Sequence, residues 1–421
     1  MQDKALNQLF IKNRKKLREK IEPGTIVLMF SNDPMRRNGD QFFRFRQDSN
    51  MFYMTGIDQP HTILLLSGEN EKNDILFLEE TTEISRVWEG EKLTPEEGSE
   101  LSGIENVKSV QSFEKILASQ LKTVKTVYFD LPEELSQKES FSQTMRYFKS
   151  FRQKFPFHSV KSVRSYLTNL RMIKEPEEIE LIRRAIKITE KAFRRAAAAV
   201  VPGTSEKEIE ALLSYEFTIN HTNGHAFDPV VASGSNACVL HYVKNNMEMK
   251  DGTMLLMDFG AEYKNYAADI SRTLPVSGTF SSRQKDVYLA VLEVMEKAIR
   301  NIVPGKTVAE INRQVSEWLI EKHIELGIYK RSDLEAQGKA LWKKYFPHGV
   351  SHFMGLDVHD CGSKVRELEP GMVLTCEPGI YIAEEGIGVR IEDDILVGKN
   401  APENLSIGIP KSAEEIEDLM H

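Results

Sequence analysis

The stretch MDFGAEYKNYAADISRT, residues 257–273, sets two aspartates, Asp258 and Asp269, among residues that otherwise suit a buried sheet. Its leading run, TMLLMDF (253–259), has the composition of a core strand, and such strands ordinarily exclude carboxylates. Folded back about Tyr263–Lys264, the stretch forms a hairpin with Asp258 opposite Asp269 on one face. Residues so opposed have Cβ atoms about 4.5–5.5 Å apart. A second stretch repeats the pattern: TCEPGIYIAEEGIGVRIEDD (375–394), folded about Glu384–Glu385, sets Glu377 opposite Glu392.

Like charges opposed in a sheet repel, and burying them unpartnered costs several kcal/mol. Exposed acids on edge strands would avoid that cost, but the apolar flanks of both hairpins fit such a position poorly. Protonated pairs are a second way out. A divalent metal on which the carboxylates converge is the most economical one. Four carboxylates exceed what one small cation requires, which points to two metals bridged by shared carboxylates.

The histidines point the same way. Of ten in the chain, three fall within PHGVSHFMGLDVHDCG (347–362): His348, His352 and His359. Gly349, Gly355 and Gly362 punctuate the segment, which therefore reads as a turn-rich loop with some strand. His348 and His352 have a spacing that could place two ligands on one helical face, but the glutamate of the HExxH motif is absent. A lone histidine is more often structural than a ligand; three beside glycines, ahead of an acid pair, favour a site. His241, in SNACVLHYVKNN (235–246), is a weaker candidate by itself.

Outward from these hairpins, 421 residues exceed one ordinary core and indicate two domains, divided as 1–170 and 171–421. The first reads as mixed α/β. A charged helix over about residues 3–20 precedes the strand-like runs TIVLMF (25–30), NMFYMTG (50–56), TILLLSG (62–68), DILFLEE (74–80) and TVKTVYFD (123–130). The second opens on a long amphipathic helix with Pro176 in its first turn. It contains an internal echo, VPGTSEKEI (201–209) and VPGKTVAEI (303–311). In each, Ser205 or Thr307 precedes a glutamate, Glu208 or Glu310, by three positions, the signature of a capping box. Nine residues alone fit a duplicated half-domain or two unrelated helix caps; an acidic hairpin after each favours duplication, with a pseudo-two-fold.

The formal net charge of −8, from 55 basic and 63 acidic residues, gives no reason to expect nucleic-acid or anionic-membrane partners. Three dispersed cysteines, with no CxxC pair, fit a reducing compartment. The first residues are charged throughout, and no apolar run approaches the ~20 residues of a membrane span. A cytoplasmic enzyme is expected.

The ordered set Asp258, Asp269, HGVSH (348–352), VHD (358–360), CEPGIY (376–381) and VRIED (389–393) resembles aminopeptidase P, the Xaa-Pro aminopeptidases of the pita-bread metallopeptidase superfamily. FRFRQDSNMFYMTGIDQPHTILLL (43–66) looks like that family's N-terminal domain and LRMIKEPEEIELIRRA (170–185) like its junction. The resemblance implies a mixed α/β domain followed by a pita-bread catalytic domain. It also implies a dinuclear site, usually manganese, held by Asp258, Asp269, His352, Glu377 and Glu392, with Asp269 and Glu392 bridging. The implied reaction is release of the first residue from peptides with proline second, by a metal-bridging hydroxide. Glu377 would move the proton, His241 and His359 would steady the carbonyl, His348 would stand in the outer pocket, and Arg390 with Tyr381 would orient carboxylate or substrate. A homo-oligomer, dimer or tetramer, is implied as well.

Some members carry a tyrosine where this chain has Phe227, in HAFDPVVASG (225–234), which implies altered kinetics. Trp88 lies in a segment that approaches a neighbour's cleft in oligomeric relatives; an ordinary half-buried tryptophan is the alternative. Prolidase, which cleaves Xaa-Pro dipeptides with the same ligands, is the nearest rival. Methionine aminopeptidase usually lacks the large N-terminal domain. Metal-free scaffolds and creatinase-like enzymes typically lack the full ligand set that this chain carries.

Overall fold

A computed structural model of the chain describes residues 2–132 and 142–421. It divides into two compact units, residues 1–171 and 172–421. The first is built on a six-stranded mixed sheet in the order Val107–Ser109, Ile75–Leu78, Ile63–Ser67, Thr25–Phe30, Thr126–Phe129, Ser159–Ser162. Thr25–Phe30 is central and buried along its whole length, which is why TIVLMF has no polar alternation. Ile26, Leu28 and Phe30 pack on one face with Phe77, Phe113, Phe129 and Phe151. The alternate residues Val27 and Met29 are buried on the other face.

NMFYMTG is not a strand. It lies in the helix Ser49–Thr55, capped by Asp48, whose carboxylate accepts from the Asn50 and Met51 N–H groups. Every residue of that helix is buried, so no polar face marks the helical period, and a short apolar run cannot be told from a strand by pattern. Gly56 ends it in the left-handed conformation with φ 68°. Trp88, on the short helix Glu83–Glu89, is 82% exposed and not half-buried.

The second unit repeats a helix pair followed by antiparallel strands. Pro176–Ala197 and Glu206–Ile219 precede the ladder of Val230–Ser233, Met254–Phe259 and Ile270–Pro275. Ser282–Ile299 and Val308–Glu325 precede Val373–Cys376, Gly379–Ile382, Ile387–Arg390 and Asp393–Leu396. The echoed turns do the same work in both copies. The Gly203 N–H reaches the Met249 carbonyl at 2.8 Å, and the Gly305 N–H reaches that of Leu368 at 3.0 Å. Ser205 bridges to Glu248 as Thr307 does to Glu367.

The capping box closes in the second copy only, where Thr307 and Glu310 exchange bonds of 2.8 and 3.1 Å. In the first, Ser205 caps through the Lys207 N–H, and Glu208 does not reciprocate. The neighbouring Glu206 is fully buried and accepts from the N–H and hydroxyl of Ser233, the Tyr242 hydroxyl and the Met247 N–H.

The helix Pro176–Ala197 seats the first acidic hairpin: Thr189 Oγ1 accepts from the Ala261 N–H at 3.0 Å, and the Tyr266 hydroxyl donates to Glu178 at 2.9 Å. That hairpin turns one residue later than the sequence symmetry suggests. Lys264 and Asn265 take φ of 47° and 65°, and Tyr263 pairs with Tyr266. Two successive left-handed residues are the mark of a type I′ turn. Asp258 therefore opposes Ser271, and Asp269 lies diagonal to it, still on the same face because the register moved by an even number. In the second hairpin the expected register holds: Gly379 pairs with Arg390 and Cys376 with Asp393, which brackets Glu377 and Glu392 as opposed positions.

Candidate active site

The two hairpins join through backbone bonds that bring their acids together. The Glu392 N–H donates to the Ser271 carbonyl at 3.1 Å, and the Asp269 N–H donates to Asp394 Oδ2 at 3.2 Å. The histidine loop runs along Val373–Cys376. The Thr375 N–H reaches the His352 carbonyl at 3.0 Å, the Glu377 N–H reaches that of Val350 at 2.8 Å, and Phe353 bridges to Leu374. His352 is thereby set over the strand that leads into Glu377.

Asp269, His352 and Glu392 each offer a ligand atom within 4.8 Å of the others. His352 Nε2 lies 3.4 Å from Asp269 Oδ2 and 3.7 Å from Glu377 Oε1. Its Nδ1 lies 3.0 Å from the Phe353 carbonyl, which can only accept, so in the neutral ring Nδ1 carries the proton. The lone pair on Nε2 then faces carboxylates, an arrangement that calls for a cation between them.

Asp258 takes Arg390 Nη2 on Oδ2 at 2.6 Å, while its Oδ1 is buried without a hydrogen-bond partner. Asp269 and Glu392 are 5% and 2% exposed. Burial first, then the charges of Asp258, Asp394 and Glu377, hold Asp269 well above the usual carboxylate range. Glu392 is raised by burial, Asp269 and Glu377, and burial pushes Glu377 up to about 7. Crowded acids with raised proton affinity, an orphaned carboxylate oxygen and an imidazole lone pair together fit divalent cations.

These groups line a cavity of about 670 Å³, which takes in Asp258, Asp269, His352, Glu377, Arg390 and Glu392. His241, His348 and His359 also line it, and Phe227, Leu240 and Val243 form an apolar section of wall. His359 packs edge-on to His352 with ring centroids 4.4 Å apart. Burial, with His352 and His241 nearby, lowers its proton affinity.

Tyr381, expected at the substrate, does not line the cavity. It is 3% exposed, and its hydroxyl lies 2.7 Å from His348 Nε2 and 3.0 Å from Arg390 Nη1. The guanidinium can only donate, so the hydroxyl donates onward to His348, whose Nδ1 donates to the Gly349 carbonyl at 2.7 Å. Burial, and then Arg390, push His348 down to about 3, so it stays neutral.

Sequence reasoning missed Ser271, whose hydroxyl donates to Glu392 Oε2 and accepts from Arg390 Nε, both at 2.8 Å. It also missed Asp394, the carboxylate that receives the Asp269 N–H. A serine inside a strand carries no signal of such a role. The second aspartate of VRIEDD could have been questioned as Asp258 was, since Asp394 is fully buried.

Residues 180–399 match metallopeptidase family M24, and residues 10–128 match the aminopeptidase P N-terminal domain. The chain is 34% identical to the Xaa-Pro aminopeptidase of Escherichia coli (strain K12), covering 98% of this chain and 97% of that protein. It is 33% identical to human Xaa-Pro aminopeptidase 3, over 93% of this chain and 80% of that protein. Among solved structures, aminopeptidase P from E. coli with the inhibitor Pro-Leu superposes with a TM-score of 0.89 at 34% identity, covering 98% of both chains. A zinc-substituted form of the E. coli enzyme in complex with product gives 0.90 at 33% identity, again over 98% of both. The chain belongs to metallopeptidase family M24, as an aminopeptidase P-type member with that group's N-terminal domain and pita-bread catalytic domain.

Proposed function

We propose that the chain is an Xaa-Pro aminopeptidase, releasing the N-terminal residue from peptides with proline in second position, at a site where Asp258, Asp269, His352, Glu377 and Glu392 hold two divalent cations. The observation that carries this reading is the convergence of Asp269, His352 and Glu392 beside a buried, unpartnered Asp258 oxygen. The oxygen-rich donor set, four carboxylates and one imidazole, suits manganese. Bound there, such ions supply a nucleophile from water at neutral pH and polarise the scissile carbonyl.

The chain's own residues do the rest. Glu377 accepts the proton of the attacking water and delivers it to the prolyl nitrogen as the peptide bond breaks. His359 and His241, at the wall of the cavity, donate to the carbonyl oxygen as charge develops on it. Arg390 fixes Asp258, and His348 stays neutral under Tyr381. The prolyl nitrogen has no N–H to recognise, so the ring must be accepted by shape; the wall of Phe227, Leu240 and Val243 is available for it.

No helix among the described residues is long and apolar enough to cross a membrane. Cys238, Cys361 and Cys376 form no disulfide with one another, which supports a reducing, cytoplasmic setting. Homo-oligomerisation, as dimer or tetramer, is supported by the exposed Ile84, Val87 and Trp88 on one short helix.

The test is cleavage by the Mn²⁺-loaded protein of an Xaa-Pro dipeptide and an Xaa-Pro-Xaa tripeptide, with Asp269→Asn as control. Faster release from the tripeptide, lost in the control, is expected. Preference for the dipeptide would make the enzyme a prolidase, and no cleavage of either by folded, metal-replete protein would overturn the assignment.

A further inference from the structure

The segment that opens the catalytic unit, MIKEPEE (172–178), has no part in the site as described, yet its lysine pairs with a residue of the cavity wall. Lys174 Nζ lies 2.9 Å from Asp360 Oδ2, and both side chains are 1% exposed. Ion pairs buried this completely are seldom retained for stability, because well-packed apolar residues of similar volume serve at least as well. The pair is built for closely. A Cβ on Gly355 would stand 2.4 Å from Asp360 Oδ2 and 2.8 Å from Lys174 Cε, so only glycine leaves room for it. The backbone of Lys174 is anchored independently by its N–H to the Gly371 carbonyl at 2.9 Å.

Asp360 closes the histidine loop. Its N–H donates to the Phe353 carbonyl at 2.8 Å, and its Oδ1 accepts from the Cys361 N–H at 2.9 Å. That closure lies between the residues that follow His352 and His359, whose rings meet edge-on. Wherever the Asp360 carboxylate is pinned, His359 is held relative to His352.

We propose that Lys174 is a positioning residue for the reaction: through Asp360 it fixes His359 against His352 at the cavity wall. This rests on the role of His359 at the scissile carbonyl proposed above. Lys174 itself touches neither the candidate ligands nor the cavity.

The experiment uses the full-length, Mn²⁺-loaded protein, with kcat and KM on an Xaa-Pro-Xaa tripeptide, metal content and Tm for each variant. The variants are Lys174→Met, His359→Ala, their double mutant, and Lys174→Met/Asp360→Asn. The last removes both charges and so avoids a lone buried carboxylate if Lys174→Met alone fails to fold. Lys174→Met is expected to lower kcat by about 10- to 100-fold, within the range of one positioned acid–base or oxyanion group, with KM and metal content little changed. In the His359→Ala background the same substitution should change kcat less than about twofold, because two residues acting through one group are not additive. The doubly neutralised variant, Lys174→Met/Asp360→Asn, should lose kcat as Lys174→Met does. A fall in Tm with kcat unchanged, or losses that multiply in the Lys174→Met/His359→Ala double mutant, would overturn the proposal and leave the metallopeptidase reading intact. Full activity in His359→Ala, with Asp269→Asn still inactive, would remove the role of His359 and this inference together.

Discussion

Arg390 Nη2 donates to Asp258 Oδ2 at 2.6 Å, while Oδ1 of the same carboxylate is buried with no partner. The same guanidinium donates to the Ser271 hydroxyl at 2.8 Å and to the Tyr381 hydroxyl at 3.0 Å. One planar fork thus ties Asp258, Glu392 through Ser271, and His348 through Tyr381. It holds Oδ2 of Asp258 still and leaves Oδ1 without a hydrogen-bond partner. A group that only neutralised the acids would satisfy both oxygens.

Lysine cannot reproduce that fork, since it offers a single charge centre and no fixed plane. Arg390→Lys should lower kcat/KM by about 10²-fold and reduce bound metal, because lysine keeps the charge but cannot make the three directed bonds that place Asp258, Ser271 and Tyr381. Steady-state kinetics with metal analysis of the purified variant test this. Wild-type kinetics at full metal content would show that the three contacts are dispensable.

The raised carboxylates make metal-free stability depend on pH. Glu377 ionises near 4.5 ordinarily but near 7 in the fold, so between those values the native state binds more protons than the unfolded chain. Its contribution to stability is present below about 4.5 and is lost as pH rises through about 7. Asp269 and Glu392, raised in the same direction, add to the trend. The Tm of chelator-treated protein should therefore fall between pH 5 and 7.5, and metal binding should release protons. Calorimetry in buffers of different ionisation enthalpy measures that release; none at pH 6 would contradict the raised values.

Asp269→Asn gives a test with opposite signs in two measurements. Removing an acid that burial and its neighbours make costly to ionise should raise the Tm of the metal-free protein by about 2–5 °C at pH 7.5, since about 1 kcal/mol shifts a domain of this size by a few degrees. The rise in Tm that Mn²⁺ gives the native protein should disappear, together with activity. A destabilised variant that still binds Mn²⁺ would mean that Asp269 is structural.

What was legible in the sequence follows from how each element is buried. TIVLMF and DILFLEE read as strands because their apolar runs are short and bounded by turn residues. NMFYMTG misled because burial on all sides erased the helical period. The second hairpin, folded about Glu384–Glu385, kept its expected register, with Gly386 closing the turn at φ 64°. The first concealed its turn behind Lys264 and Asn265, neither of which announces a left-handed conformation as glycine does. At the site, charged residues in apolar runs were conspicuous, and the cavity gathers Asp258, Asp269, His352, Glu377 and Glu392. Ser271 and the buried placement of Tyr381 depend on contacts across the fold, which local pattern does not record.

Tyr381→Phe separates support from substrate contact. The hydroxyl donates to His348 and accepts from Arg390, so its loss leaves two buried groups short of a partner, each worth about 1–3 kcal/mol. Tm should fall by several degrees and kcat by about tenfold, with KM for short Xaa-Pro peptides nearly unchanged, because the ring lies outside the cavity lining. A rise in KM alone would return Tyr381 to the substrate pocket.

Gly260 stands where the first hairpin bends between Asp258 and Asp269. A Cβ there would come 1.7 Å from the Ala268 carbonyl oxygen and 2.6 Å from its carbonyl carbon, so even alanine requires the segment carrying Asp269 to move. The shift would fall on the residue whose N–H is held by Asp394 and whose carboxylate lies 3.4 Å from His352. Ligand sets tolerate displacement poorly, and a misplacement of about 1 Å at a reacting centre can cost about 10²-fold. Gly260→Ala should fold with a lower Tm, bind metal more weakly and lose kcat/KM by about that factor. Excess Mn²⁺ should restore part of the loss, because the displaced acid is still present. Asp269→Asn, which lacks the acid, should show no such recovery at any metal concentration. Titrating Mn²⁺ into both variants while following activity makes the distinction: equal failure to recover would mean that Gly260 governs folding alone.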